Sequence, residues 1–304
     1  MIHDLIHFSE NFLTSSISYA LPIIFAAFAA LISNKANIVS INIEGSMSVA
    51  ALSGALVSYY TQSWAIGLLA AIAAGVGMSL LLALSAIKLK TDTFLSGIAL
   101  NTFASGLCVL VLYLVLGVKG DSSMTPSVLI PQVKIPLLSE IPVIGPSLFA
   151  QNLLFYVAVI SLFALMFLLY RTRLGTKIRA TGYNPEATAS VGIKTGRVQT
   201  VSLVFCGIFC GLGGAYLSMA NLGYFSAGMV SGRGFIGIAA EAMGAGKPVL
   251  TMLFSLLFGA VDYFAVGGQT VMSAPYELLN TLPYIMTLAA LLIYSLAKKK
   301  HIQT

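Results

Sequence analysis

Long apolar runs recur along this chain and dictate what it can become. The first, at 17–32, reads ISYALPIIFAAFAALI and holds no charge. Others follow at 41–60, 64–85, 94–118, 148–170, 198–220, 249–266 and 282–297. Charged residues make up only 9% of the 304 and hydrophobic residues 58%. A soluble domain carries about 25% charged residues, so this chain lacks the polar material to coat a soluble surface. Spanning strands would alternate with period two, and no such alternation is present. The runs are expected to be helices, because a backbone in lipid must satisfy its own hydrogen bonds. The expected fold is all-α: one polytopic helical bundle over 1–304.

The joints between the runs set the topology. The element at 234–246 is short for a crossing, interrupted by glycine, and carries Glu241. Broken helices of this kind line cavities or pack inside transporters. Counting it gives about nine membrane segments, within a range of eight to ten. Two interruptions are long. Residues 119–147 hold Pro126, Pro131, Pro136, Pro142 and Pro146, a proline-studded loop with room for a short hairpin or packed helix. Residues 171–197 hold Arg171, Arg173, Lys177, Arg179, Lys194 and Arg197. With that basic loop in the cytoplasm, only Lys119, Lys134 and Arg233 fall outside. The positive-inside rule then places the N-terminus outside, the C-terminus inside and the proline-rich loop on the extracytoplasmic face. The net charge of +6 is accounted for by orientation, without nucleic acid.

Few groups in the apolar runs carry chemistry. Cys108, Cys206 and Cys210 lie in apolar surroundings with no His beside them and are expected to be small packing residues. There is no GxxxxGK[ST] nucleotide loop and no HExxH pair, so neither a nucleotide nor a metal is expected on this chain. Ionisable and amide groups in a membrane are costly and therefore informative. Glu44 opens the second run and either caps a helix or touches a translocation path. Asn101, in ALNTF, can bond a solute or a neighbouring helix. Arg233 offers donors and Phe235 a flat face for a base or sugar, or both anchor at the interface. Gln269, Glu241 and Asp262 are further candidates. Gly207 and Gly211 present a small-residue face for close helix packing.

The basic loop also contains a helix signal. Asn184 can cap, Pro185 suits the first helical position, Glu186 favours a helix N-terminus, and Gly192 can end the helix. Such a short helix fits a groove on a soluble partner, while its basic surroundings equally fit anionic lipid heads.

Several stretches resemble the permease subunits of bacterial ABC importers of the branched-chain amino acid, ribose and nucleoside superfamily. These are NIEGSMSVAAL at 42–52, ALNTF in the fourth run, GYNPEATASVGI at 182–193 and FCGIFCGLGGAYL at 205–217. GRGFIGIAAEAMGAGKP at 232–248 and LNTLPYIMTLAALLIY at 279–294 complete the series. The chain departs from the family pattern at Ser46, where Gln is common, and at Thr188, where Ala is usual. GRGF, Gln269 and PYIMT look most like the nucleoside branch. The resemblance implies an importer subunit with two cytoplasmic ATPase domains that use ATP and Mg2+. It also implies a second, similar permease and an extracytoplasmic solute-binding protein or lipoprotein. It assigns ATPase coupling to Gly182, Asn184, Pro185, Glu186, Ala187, Ala189 and Gly192. The path expected for a nucleoside includes Asn101, Phe235, Arg233, Glu44 and Gln269. Alternatives are a sugar or branched-chain amino acid importer, an ion-coupled secondary transporter, a scaffold or a membrane enzyme.

Overall fold

The computed structural model describes the backbone of residues 2–134, 150–271 and 285, and side chains at 12–133, 151–266 and 285. The last apolar run falls outside the described residues except for Ile285. In order the chain forms α1 (Ile2–Asn34), α2 (Ile43–Thr61), α3 (Trp64–Ala83) and α4 (Thr93–Leu116), then strands β1 (Gln132–Lys134) and β2 (Ala150–Asn152). After these come α5 (Leu153–Arg171), α6 (Arg173–Tyr183), α7 (Pro185–Ser190), α8 (Thr195–Tyr216), α9 (Arg233–Met243) and α10 (Pro248–Val271).

Among the described residues six helices are long and apolar enough to cross a membrane: α1, α3, α4, α5, α8 and α10. The chain is a multi-pass membrane helical bundle. The expected second run is helical as α2 but does not join that group. Glu44, Ser46, Ser48, Ser53 and Ser58 dilute its hydropathy, and the helix is buried along Gly45–Met47, Ala50–Leu52 and Gly54–Leu56. Burial separates the centre of the bundle from its rim. The most apolar window is 83% buried in α1 and 78% in α8, against 17% in α4.

In lipid there is little hydrophobic gain from pairing helices, so contact relies on close packing of small residues. The α3–α8 pair, the most extensive helix contact among the described residues, is built this way. A Cβ on Gly207 would lie 2.5 Å from the Val76 Cα, and one on Gly211 would lie 2.5 Å from the Ile72 Cα. Both α3 and α8 end in a widened turn, where Leu89 N–H bonds Leu84 and Leu222 N–H bonds Leu217.

The two long interruptions differ. Part of the proline-rich loop, 120–130, lies along the segment after α8: Ser122 N–H donates to Phe225 O, Ser127 N–H to Gly223 O and Ile130 N–H to Met219 O. Its β1 pairs antiparallel with β2 immediately before α5. The Ser123 hydroxyl and amide both donate to Asp121, holding its carboxyl below the usual range. The basic loop is more helical than its capping signal alone predicts. It contains α6 as well as α7, with Thr172 capping α6 through Gly175 N–H at 3.0 Å.

Candidate functional site

The site grows from a break in the chain. After Asn34 the helix stops, and residues 35–42 run without helical structure, every second side chain turned into the bundle and Asn37 and Val39 exposed. Ala36, Ile38, Ser40 and Asn42 are buried. Irregular backbone at membrane depth is tolerated where protein groups replace the missing helical bonds, and here they do. Gln199 Nε2 donates to Ala36 O at 3.3 Å, and Asn101 Nδ2 donates to Ile41 O at 3.0 Å. Ser40 donates to Asn42 Oδ1 at 2.7 Å, while Asn42 Nδ2 donates to Ser46 Oγ at 3.0 Å and weakly to Met78 O. Cys206 adds its thiol against Ser40 Oγ at 3.3 Å. At about 1.5 Å per residue, Asn101 sits roughly 12 Å along α4 from its start, so α2 begins beside the body of α4 rather than at its end.

Glu44 occupies the first turn of α2 and reaches a second helix start. Its Oε1 accepts from Gly232 N–H at 2.7 Å and its Oε2 from Gly234 N–H at 2.8 Å. These amides belong to the N-terminal end of α9, where donors lack partners within the helix and the dipole favours a carboxylate. Between them Arg233 turns away. Its guanidinium pairs with Asp262 Oδ2 at 3.1 Å, donates to Met229 O at 3.2 Å and lies 5.8 Å from the Tyr19 ring centre. Asn101 completes the junction from the other side, with Oδ1 accepting from Gly45 N–H at 2.8 Å.

The structure therefore brings together four of the residues singled out as path candidates. Glu44, Asn101 and Arg233 meet around the starts of α2 and α9, and Phe235 follows on α9 with 45% of its surface exposed. Glu44, Asn101 and Arg233 spend hydrogen bonds on the protein itself. Gln269 lies on α10, but its side chain is outside the described residues. Asp262, a further candidate from the sequence, is the ion-pair partner of Arg233. Nothing in the sequence around Asn34 marks it out. Asn34 Nδ2 donates to Glu241 Oε2 at 2.6 Å across a separation of 207 positions, a pairing no local pattern encodes. Among the described residues, no cluster of three or more His, Cys, Asp or Glu is arranged to hold a metal.

The second half of the site is the α6–α7 segment. Asn184 Oδ1 accepts from Ala187 N–H at 3.0 Å, Pro185 is the first helical residue, and Gly192 has φ +83°. Of α7 only Thr188 is buried. Tyr183 and Val191 flank it with 89% and 73% of their surfaces exposed, apolar groups presented beside a basic stretch.

Comparisons with known proteins agree with this architecture. The family described as "Branched-chain amino acid transport system / permease component" matches residues 12–291. The nucleoside ABC transporter permease protein NupC of Lactococcus lactis subsp. cremoris is 32% identical, over 91% of this chain and 89% of its own. The guanosine ABC transporter permease protein NupQ of Bacillus subtilis is 29% identical, over 95% and 93%. A putative glucose ABC transporter permease protein, TsgC13 of Haloferax volcanii, is 27% identical, over 93% and 91%. Among solved structures, PsaBC from Streptococcus pneumoniae in complex with Fab shares the fold at a TM-score of 0.52 and 12% identity, covering 95% of each chain.

Proposed function

Because the chain belongs to the branched-chain amino acid transport system permease component family, we propose that it is the membrane-spanning subunit of an ATP-driven nucleoside importer. It is a transporter subunit, not an enzyme. The observation that carries the importer reading is the exposed, Asn184-capped α7. A rigid helix of this size, offered with Tyr183 and Val191, is a mechanical contact for an ATPase that hydrolyses ATP with Mg2+ elsewhere. We place α7 and the C-terminus in the cytoplasm, and the N-terminus and the 119–147 loop on the opposite face, where a solute-binding protein delivers its cargo. A second homologous permease completes the channel. ATP-driven closure on α7 then switches access between the two sides, so that solute affinity differs between two states.

The nucleoside assignment draws on the NupC and NupQ likeness and on Phe235, whose exposed ring suits base stacking. In this reading Phe235 touches solute, and Glu44, Asn101 and Arg233 hold the broken helix starts in place around the path. Gln269 is assigned to the path from its position on α10 alone. A glucose-type importer is the second reading, favoured by the TsgC13 likeness. Competition separates them. In vesicles holding the whole transporter, uptake of labelled guanosine should be suppressed by other nucleosides and left intact by glucose or leucine. Suppression by glucose, with no response to nucleosides, would transfer the assignment to sugars.

A further inference from the structure

The importer reading leaves open how movement at α7 reaches the broken helices, and four observations converge on one joint. The first is a contact at the end of α6: Gly182, two residues before the α7 cap, packs directly on the Lys35 carbonyl, where a Cβ would overlap it. The second is the residue before Lys35, the last of α1. Asn34 donates to Glu241 Oε2 at 2.6 Å, and Glu241 is 6% exposed near the end of α9. The Lys35 side chain lies against Gly246, where a Cβ would come 2.5 Å from Lys35 Nζ. Residues 34–35 are thus clasped between the coupling segment and the C-terminal end of α9.

The third observation concerns α9 itself. It is short, about 16 Å at 1.5 Å per residue, and left-handed residues flank it at both ends. Ser231 and Gly232 have φ 51° and 79°, and Ala245 and Gly246 have φ 50° and 65°. Non-glycine residues in this region are strained and collect at switches and clamps. The fourth is free space beside the joint. Asn34, Lys35, Arg179, Gly182 and Tyr183 bound an opening of about 170 Å³, so the Gly182 turn at the end of α6 has room on one side.

Resting on the importer reading, we propose that the Asn34–Glu241 hydrogen bond is the joint through which ATPase closure on α6–α7 tilts α9 on its two hinges. The far end of α9 holds the Glu44 carboxylate, so this tilt acts on the start of α2. Asn34 and Glu241 are positioning residues and touch no solute. Coupling between sites is ordinarily worth about fivefold or more.

The test uses the complete transporter in vesicles and reads solute taken up per ATP hydrolysed. Asn34→Ala and Glu241→Ala should each lower that ratio by about fivefold or more. The double variant should fall no further than the worse single one, because both remove the same contact. Glu241→Gln keeps an acceptor for Asn34 and can donate to its otherwise unpartnered Oδ1; it should retain the wild-type ratio within about twofold. An unchanged ratio, or losses that multiply in the double variant, would overturn the joint. A second measurement needs no variant of the joint. Spin labels at exposed Ala242 on α9 and Leu95 on α4 should change separation when a non-hydrolysable ATP analogue is added. A constant separation would overturn the proposal. Wild-type uptake in the same vesicles separates the two levels: absence of ATP-driven uptake sinks the importer reading, while normal uptake with an unmoved ratio sinks only the joint.

Discussion

Asn101 sits in an otherwise apolar helix, and both faces of its amide are committed: Oδ1 to Gly45 N–H and Nδ2 to Ile41 O. An amide at this position carries the start of α2 as a neighbouring helical turn would. Asn101→Ala leaves a buried donor and acceptor unpaired, each costing about 1–3 kcal/mol. The expected result is a clear loss of thermal stability of the purified permease, larger than any change in apparent solute affinity. A variant with native stability and altered affinity would instead place Asn101 against the solute. Glu44 is built on the same logic, with both oxygens taken by Gly232 and Gly234 amides. Polar groups that look like ligand contacts in an apolar sequence here first replace bonds that broken helices lose.

Among the elements, α7 is the one whose sequence states its structure most directly. Asn184, Pro185 and Gly192 do in the fold what their types favour. Asn184→Ala removes the cap and should destabilise this short exposed helix by about 1 kcal/mol. Replacing Pro185 and Ala187 with glycine as well should abolish uptake while membrane insertion, followed by fractionation, stays normal. Uptake that survives with α7 unwound would remove it from the coupling path. The face α8 turns to α3 was legible too, because Gly207 and Gly211 are one turn apart and small residues are what lipid-embedded helices need to approach, though nothing local named α3 as the partner. Other elements were hidden. The helix α6 is polar and basic, so no apolar periodicity marks it, and its cap Thr172 resembles any loop threonine. The place at which α2 starts is fixed by bonds to Asn101, Met78 and Gln199, which are distant in sequence. The Asn34–Glu241 contact joins helix ends that only the assembled bundle brings together.

At the largest scale the chain is a multi-pass helical bundle of an ABC-importer permease family. Its centre is α1 and α8, its rim carries exposed apolar side chains such as Leu95, Leu114 and Phe163, and its basic segment presents α7. Two short-range breaks, after α1 and around α9, lie between that segment and the interior, where access would have to change. Such a body can bias solute between two sides only if something else does work on it. The most direct measurement is solute accumulation in vesicles containing the permease pair, with and without the ATPase and ATP. The account predicts accumulation against a gradient only when ATPase, ATP and Mg2+ are all present. Accumulation by the permease chains alone, driven by an ion gradient, would contradict it.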